Sequence, residues 1–312
     1  MVGLELVCLA IVATYVLARL ARAGDAAARH AFTVRFAALA VASFVGEDTV
    51  IRAYGFYAYA TGWSARLDQV PLVIVLVWPV VIDSAATLAR AVLGAPPAHA
   101  RGSRSSSRVA LLGAAIVLAD ASLIEPIAVR AGLWRWTEPG LFAVPLVGIV
   151  GWAFFAWAAI LVLERAPSAA RLAVVVMAPV ATHLLVVASY WLAFRWIGGE
   201  RSALAAAAFA WGTSLVVSSM VVRASARGRG LATVPVGELL LRLPGAAFFF
   251  VLLGMTSSAP SGFAAPDGRT YAVPEAGVLA LLAYAAAFAP PYLTALAVRA
   301  RASKGRPGGA LA

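Results

Sequence analysis

Residues 47–78, EDTVIRAYGFYAYATGWSARLDQVPLVIVLVW, and residues 125–152, EPIAVRAGLWRWTEPGLFAVPLVGIVGW, write one pattern twice. Each copy begins with a glutamate, Glu47 or Glu125, and continues after four residues with an Arg-Ala pair, Arg52-Ala53 or Arg130-Ala131. A glycine then opens an alternating aromatic string: Gly55-Phe56-Tyr57-Ala58-Tyr59 in the first copy, Gly132-Leu133-Trp134-Arg135-Trp136 in the second. After a turn, Val70-Pro71-Leu72-Val73 recurs letter for letter at 144–147, and Trp78 and Trp152 each stand seven residues past the proline. Both glutamates lie in apolar surroundings, so duplication is the simplest explanation. A proline in the first turn of a helix removes a donor that has no partner there. The pattern therefore predicts two helical hairpins, residues 31–92 and 108–163, of like orientation. A pseudo-twofold axis along the membrane normal relates them and sets Glu47 opposite Glu125.

The rest of the chain fixes the solvent. Of 312 residues, 62% are hydrophobic and 12% charged, with a mean hydropathy of +0.89. That leaves too little polar surface for a water-soluble core and predicts an all-α, polytopic membrane bundle. Runs of about 20 residues, enough to cross about 30 Å of hydrocarbon, fall near 3–20, 31–51, 69–92, 108–128, 142–163, 171–194, 203–222, 235–256 and 273–298, which makes nine spans. The net charge of +11 reports orientation rather than nucleic-acid binding. Alternate connections, from Arg19 to Arg306, hold 17 of the 25 basic residues, and the opposite set holds seven. The richer set is expected in the cytoplasm, with the amino terminus outside and the carboxyl terminus inside. Arg242, inside the eighth span, belongs to neither set. Residues 1–301 read as one transmembrane domain and 302–312 as a disordered cytoplasmic tail.

Ionisable groups inside spans are costly, about 2.5–3.5 kcal/mol at the centre on insertion scales, and call for a partner or a cavity. Four carboxylates qualify: Glu47, Asp83, Asp120 and Glu125. At 1.5 Å per residue Asp120 lies near mid-depth, Glu125 about 7 Å closer to the outer surface, and Asp83 in the inner half. Glu47 and its neighbour Asp48 share the level of Glu125 but point to different helix faces. Arg52 and Arg130 are placed to hold the carboxylates. His183, one turn after Pro179, falls near mid-depth of its span, and with no second histidine in a span no metal site is expected. Tyr57, Tyr59, Trp134 and Trp136 crowd the outer half. Trp63 and Trp196 read as interfacial anchors, whereas Trp78 and Trp152 lie two turns inside, too deep for anchoring. A carboxylic acid held neutral by an apolar site can donate a proton, and electron-rich rings attract a cation. Together they suit cationic chemistry on an isoprenoid.

The series Glu47, Gly55-x-Tyr57-x-Tyr59, Val70-Pro71, Trp78, Asp120, Glu125-Pro126, Gly132-x-Trp134-x-Trp136, Val144-Pro145 and Gly151-Trp152 resembles the integral-membrane carotenoid biosynthesis family, over residues 44–152. Known members include bacterioruberin-pathway and γ-carotene hydratases. The resemblance implies an enzyme of a bacterial or archaeal cytoplasmic membrane that uses no redox cofactor and adds water across a terminal double bond of an acyclic carotenoid. Glu125 or Asp120 would be the acid and Glu47 the partner base, with Tyr57, Tyr59, Trp78, Trp134, Trp136, Trp152 and His183 shaping the substrate site. Four residues separate Asp120 from Glu125 where the family pattern has three, which turns them about 140° apart instead of about 40° on a helix and marks a divergent member. Water capture gives a hydratase, capture by another double bond a cyclase. The competing reading is a transporter or channel for a lipophilic or proton-coupled solute, with Asp83 and Asp120 on its path. A noncatalytic scaffold is a third. The implied partners are a lipophilic isoprenoid or carotenoid and membrane lipid.

Overall fold

A computed structural model describes residues 1–95, 103–138, 144–166, 168–197 and 235–257, isolated positions between 212 and 219, and the pieces 263–264 and 270–271. Among them run α1 (Val2–Arg22), α2 (Ala26–Tyr54), α3 (Leu72–Leu93), α4 (Ser103–Arg130), α5 (Leu146–Arg165) and α6 (Val174–Ser189). The last continues through a π-helical turn at Tyr190–Phe194 into α7 (Arg195–Ile197), and two further helices, α8 (Val236–Leu240) and α9 (Leu243–Ser257), follow. Six helical stretches are long and apolar enough to cross a membrane. The 29-residue α2 is long enough too but carries Arg29, Arg35, Glu47, Asp48 and Arg52. These helices match seven of the nine expected spans. The expected spans 203–222, apart from isolated positions, and 273–298, like the tail 302–312, lie outside the described residues.

The helices pack in the order the duplication predicts. α2 pairs with α3 and α4 with α5; α3 then joins the hairpins by packing on α4, and α6 lies across α2 and α5. α4 is central: 82% of its most apolar window is buried, against 17% for peripheral α1. Large apolar side chains such as Leu172, Val176, Val180 and Leu184 face outward instead. Exposed leucine and valine along such a helix belong against lipid, where burial in protein is not needed.

The alternating aromatic strings form strands. α2 ends on Gly55 at φ +60° and α4 is followed by Gly132 at φ +70°. This left-handed turn is open to glycine at no steric cost, and it reverses the chain over the helix end. Strands β1 (Tyr57–Tyr59) and β4 (Trp134–Trp136) then pair antiparallel, Tyr57 opposite Trp136 and Tyr59 opposite Trp134. This register is symmetric about the Ala58–Arg135 pair, as a pseudo-twofold axis between the copies requires. The short strands β2 (Arg66–Leu67) and β3 (Val70–Pro71) close the first turn, and β5 (Phe263–Ala264) and β6 (Thr270–Tyr271) form a third pair.

Polar groups freed inside the bundle find partners on neighbouring helices. Pro79, within α3, has no N–H for the carbonyl of Val75, four residues earlier, and the Ser43 hydroxyl of α2 is shared between that carbonyl, at 3.3 Å, and the Ala40 carbonyl of its own helix, at 2.9 Å. Trp63, expected at the interface, is buried and donates its indole N–H to the Leu133 carbonyl at 3.2 Å, pinning the ribbon. Exposed Trp191 and Trp196 instead share the Arg195 guanidinium, at 4.4 and 4.1 Å from their ring centroids.

Candidate active site

The chain reversal at each glycine carries the ribbon back over the preceding helix, and strand alternation then puts residues two apart on one face. In the first copy that face presents Tyr57 and Tyr59 to Glu47. Both phenols donate to Glu47 Oε2, Tyr59 at 2.9 Å, while Trp78 Nε1 on α3 donates to Oε1 at 2.8 Å. The second copy repeats this with indoles. Trp134 and Trp136 Nε1 donate to Glu125 Oε2 at 2.7 and 3.0 Å, and Trp152 Nε1 on α5 donates to Oε1 at 2.7 Å. Each glutamate is thus cradled by three donors at corresponding positions of its own repeat. Three such donors leave neither oxygen of the buried carboxyl without a partner, as a polar group inside a span requires.

The rings of the two cradles pack on one another across the axis. Centroids lie 4.5 Å apart for Trp78–Trp152, 4.6 Å for Tyr57–Trp136 and 5.8 Å for Tyr59–Trp134. Burial, with the Glu47 carboxyl beside them, pushes the Tyr57 and Tyr59 phenols well above the ordinary tyrosine range, so both stay protonated donors. Below the ribbon lies a cavity of about 220 Å³ whose wall includes both glutamates and all six cradling aromatics. Gly148 sits against it: a Cβ there would come 2.6 Å from Cζ2 and 2.8 Å from Cη2 of Trp136. Gly148→Ala is therefore expected to push Trp136 off Glu125 and lower stability by about 1–3 kcal/mol, as a thermal melt of the purified protein will show.

The other expected site residues are distributed differently. Asp120 borders the cavity, but both its oxygens accept from Arg242 Nη2, at 2.8 and 2.7 Å, and Arg242 Nη1 reaches Ser84 Oγ at 3.1 Å. Asp120, expected as a candidate acid, is thus held in an ion pair with Arg242. Asp83 is outside the cavity wall and accepts from Tyr15 at 2.8 Å while pairing with Arg19 at 2.9 Å and Arg35 at 2.8 Å. His183 is also outside it, bridging Thr49 and Tyr54 of α2 at 2.7 Å through its two ring nitrogens. Arg52 serves Asp48, at 2.9 Å, and Asp68 rather than Glu47. Among the described contacts, the donors at Glu125 are the three tryptophans. The expectation for Arg52 assumed that a buried carboxylate needs a cation, whereas the described partners of Glu47 are neutral donors.

Arg242 is the site residue that sequence reasoning left unassigned. Its signal was a lone basic residue within an apolar run, and it enters the cavity from the break between α8 and α9. No group of three or more histidine, cysteine or acidic side chains among the described residues is placed to hold a metal ion.

Neither curated proteins nor solved structures yield a match. The profile described as carotenoid biosynthesis protein matches residues 2–217, well beyond the repeat itself. The chain belongs to the carotenoid biosynthesis protein family.

Proposed function

We propose that this membrane protein catalyses acid–base chemistry on the end of an isoprenoid chain, one of the two cradled glutamates protonating a terminal alkene. Family membership supports a role in carotenoid biosynthesis. The observation that carries the mechanism is the pair of three-donor glutamate cradles opening on one aromatic-walled cavity. In the first step the carboxyl proton adds to the less substituted alkene carbon, the π pair forming the new C–H bond and leaving a tertiary cation. Indole and phenol rings around it lower its energy by cation–π attraction, about 2 kcal/mol or more when water is excluded. Capture by water, with return of a proton to the carboxylate, gives a tertiary alcohol and net addition of one water. Capture by a neighbouring double bond, followed by proton loss, gives a cyclic isomer.

Cavity size favours end-group chemistry. An apolar cavity of about 150 Å³ accepts benzene, so about 220 Å³ takes an end of roughly ten carbons. The remainder of a long polyene lies outside it. The transport reading relied on Asp83 and Asp120 as protonatable stations, and both are instead ion-paired with arginines. The test is mass spectrometry of pigments and polyprenoids from cells with and without the intact gene. A product gaining one water, or an isomer of the precursor, is expected only with it. Identical profiles would remove the proposal.

A further inference from the structure

The two cradles share their geometry but differ in the chemistry of the ribbon donors. Tyr57 corresponds to Trp134 and Tyr59 to Trp136, each two or four residues after its glycine. A phenol hydroxyl donates and accepts, and so can pass a proton along. An indole N–H donates only, because the nitrogen has no lone pair to offer. Glu125 is thus ringed by three fixed donors, while Glu47 has two partners able to exchange protons with it and with anything in the cavity they border.

We propose, resting on the acid–base reading above, that the duplicated cradles have divided the work: Glu47 with Tyr57 and Tyr59 transfers the proton, and Glu125 is a fixed anion facing the cation. Glu47 gives its carboxyl proton to the alkene. After water attacks the cation, the excess proton on the new C–O oxygen moves to a phenol oxygen as that phenol's own proton moves to Glu47. The carboxyl is restored, the phenol is neutral before and after, and the charge of the site is the same at the end of the cycle as at its start. For ring closure, the proton lost from the carbon next to the cation returns to Glu47 instead and exchanges with water through the phenols before the next turnover. Glu125 keeps its three hydrogen bonds throughout, which costs no reorganisation when the cation forms.

The experiment uses the full chain in proteoliposomes with an acyclic polyene bearing trisubstituted terminal alkenes, in mixtures of H₂O and D₂O. Wild type is expected to place one solvent deuterium on carbon per turnover, with a rate that falls along a curve as the deuterium fraction rises, the sign of more than one proton in flight. Tyr57→Phe/Tyr59→Phe should lower turnover by about 100-fold or more and straighten that curve. The single variants each keep one phenol on Glu47, guard against misfolding of the double variant, and should each reduce the curvature. Trp134→Phe should slow turnover but leave the curve as in wild type. Wild-type curvature in both single tyrosine variants, or a straightened curve in Trp134→Phe, overturns the assignment while the acid–base reading stands. A wild-type product without solvent deuterium overturns that reading, and the assignment with it.

Discussion

Glu125→Gln is expected to cut product formation by about 10²–10³-fold, the usual loss when a preorganised electrostatic partner of a charged transition state is removed. Glutamine keeps the shape but exchanges one oxygen for an amide nitrogen that only donates. Trp134 and Trp136 share Oε2 and Trp152 holds Oε1, so the least costly amide orientation turns its carbonyl to the pair and its NH₂ against Trp152. One buried indole N–H then loses its acceptor, at about 1–3 kcal/mol. Turnover in membranes and a thermal melt should therefore both fall. Glu47→Gln separates the two effects. The Tyr57 and Tyr59 hydroxyls can rotate to accept from an amide where indoles cannot, so stability should fall less than in Glu125→Gln, while turnover should fall by about 10²–10⁴-fold. Wild-type turnover in either well-folded variant would remove that glutamate from the chemistry.

Most of this arrangement could be read from residue types and spacing. The membrane bundle followed from hydropathy, and the axis followed from the matched strings around Val70-Pro71 and Val144-Pro145. The spacing Gly-x-aromatic-x-aromatic implies alternation, but which side chains it faces depends on the left-handed turn at Gly55 and Gly132 that folds each strand over its helix. The direction of an indole N–H is likewise a tertiary fact, so Trp78 and Trp152 were legible as deep rings but not as donors to Glu47 and Glu125. Arginine partners were the least legible. Arg52 stands five residues after Glu47 but four after Asp48, and the latter spacing puts both on one helix face; it pairs with Asp48. Arg242 and Asp120 are 122 residues apart, and only packing of α9 against α4 brings their segments together.

The second large effect concerns stability rather than chemistry. Asp83 is 3% exposed in the cluster it forms with Arg19, Arg35 and Tyr15. Removing one member of a buried ion pair costs about 3–5 kcal/mol, because the remaining charge stays desolvated. Asp83→Asn keeps the volume and a hydrogen-bond acceptor for Tyr15 but leaves two guanidinium groups without the carboxylate. Arg19 keeps Glu238 at 3.0 Å, so the loss should fall mainly on Arg35. Replacing Arg35 with methionine in the same chain should then recover part of the stability, a coupling of about 0.5–3 kcal/mol that a double-mutant cycle of thermal or denaturant unfolding will measure. Below its melting range Asp83→Asn should turn over close to wild type, since Asp83 does not border the cavity. A folded Asp83→Asn protein with turnover reduced 100-fold would instead place Asp83 in the chemistry.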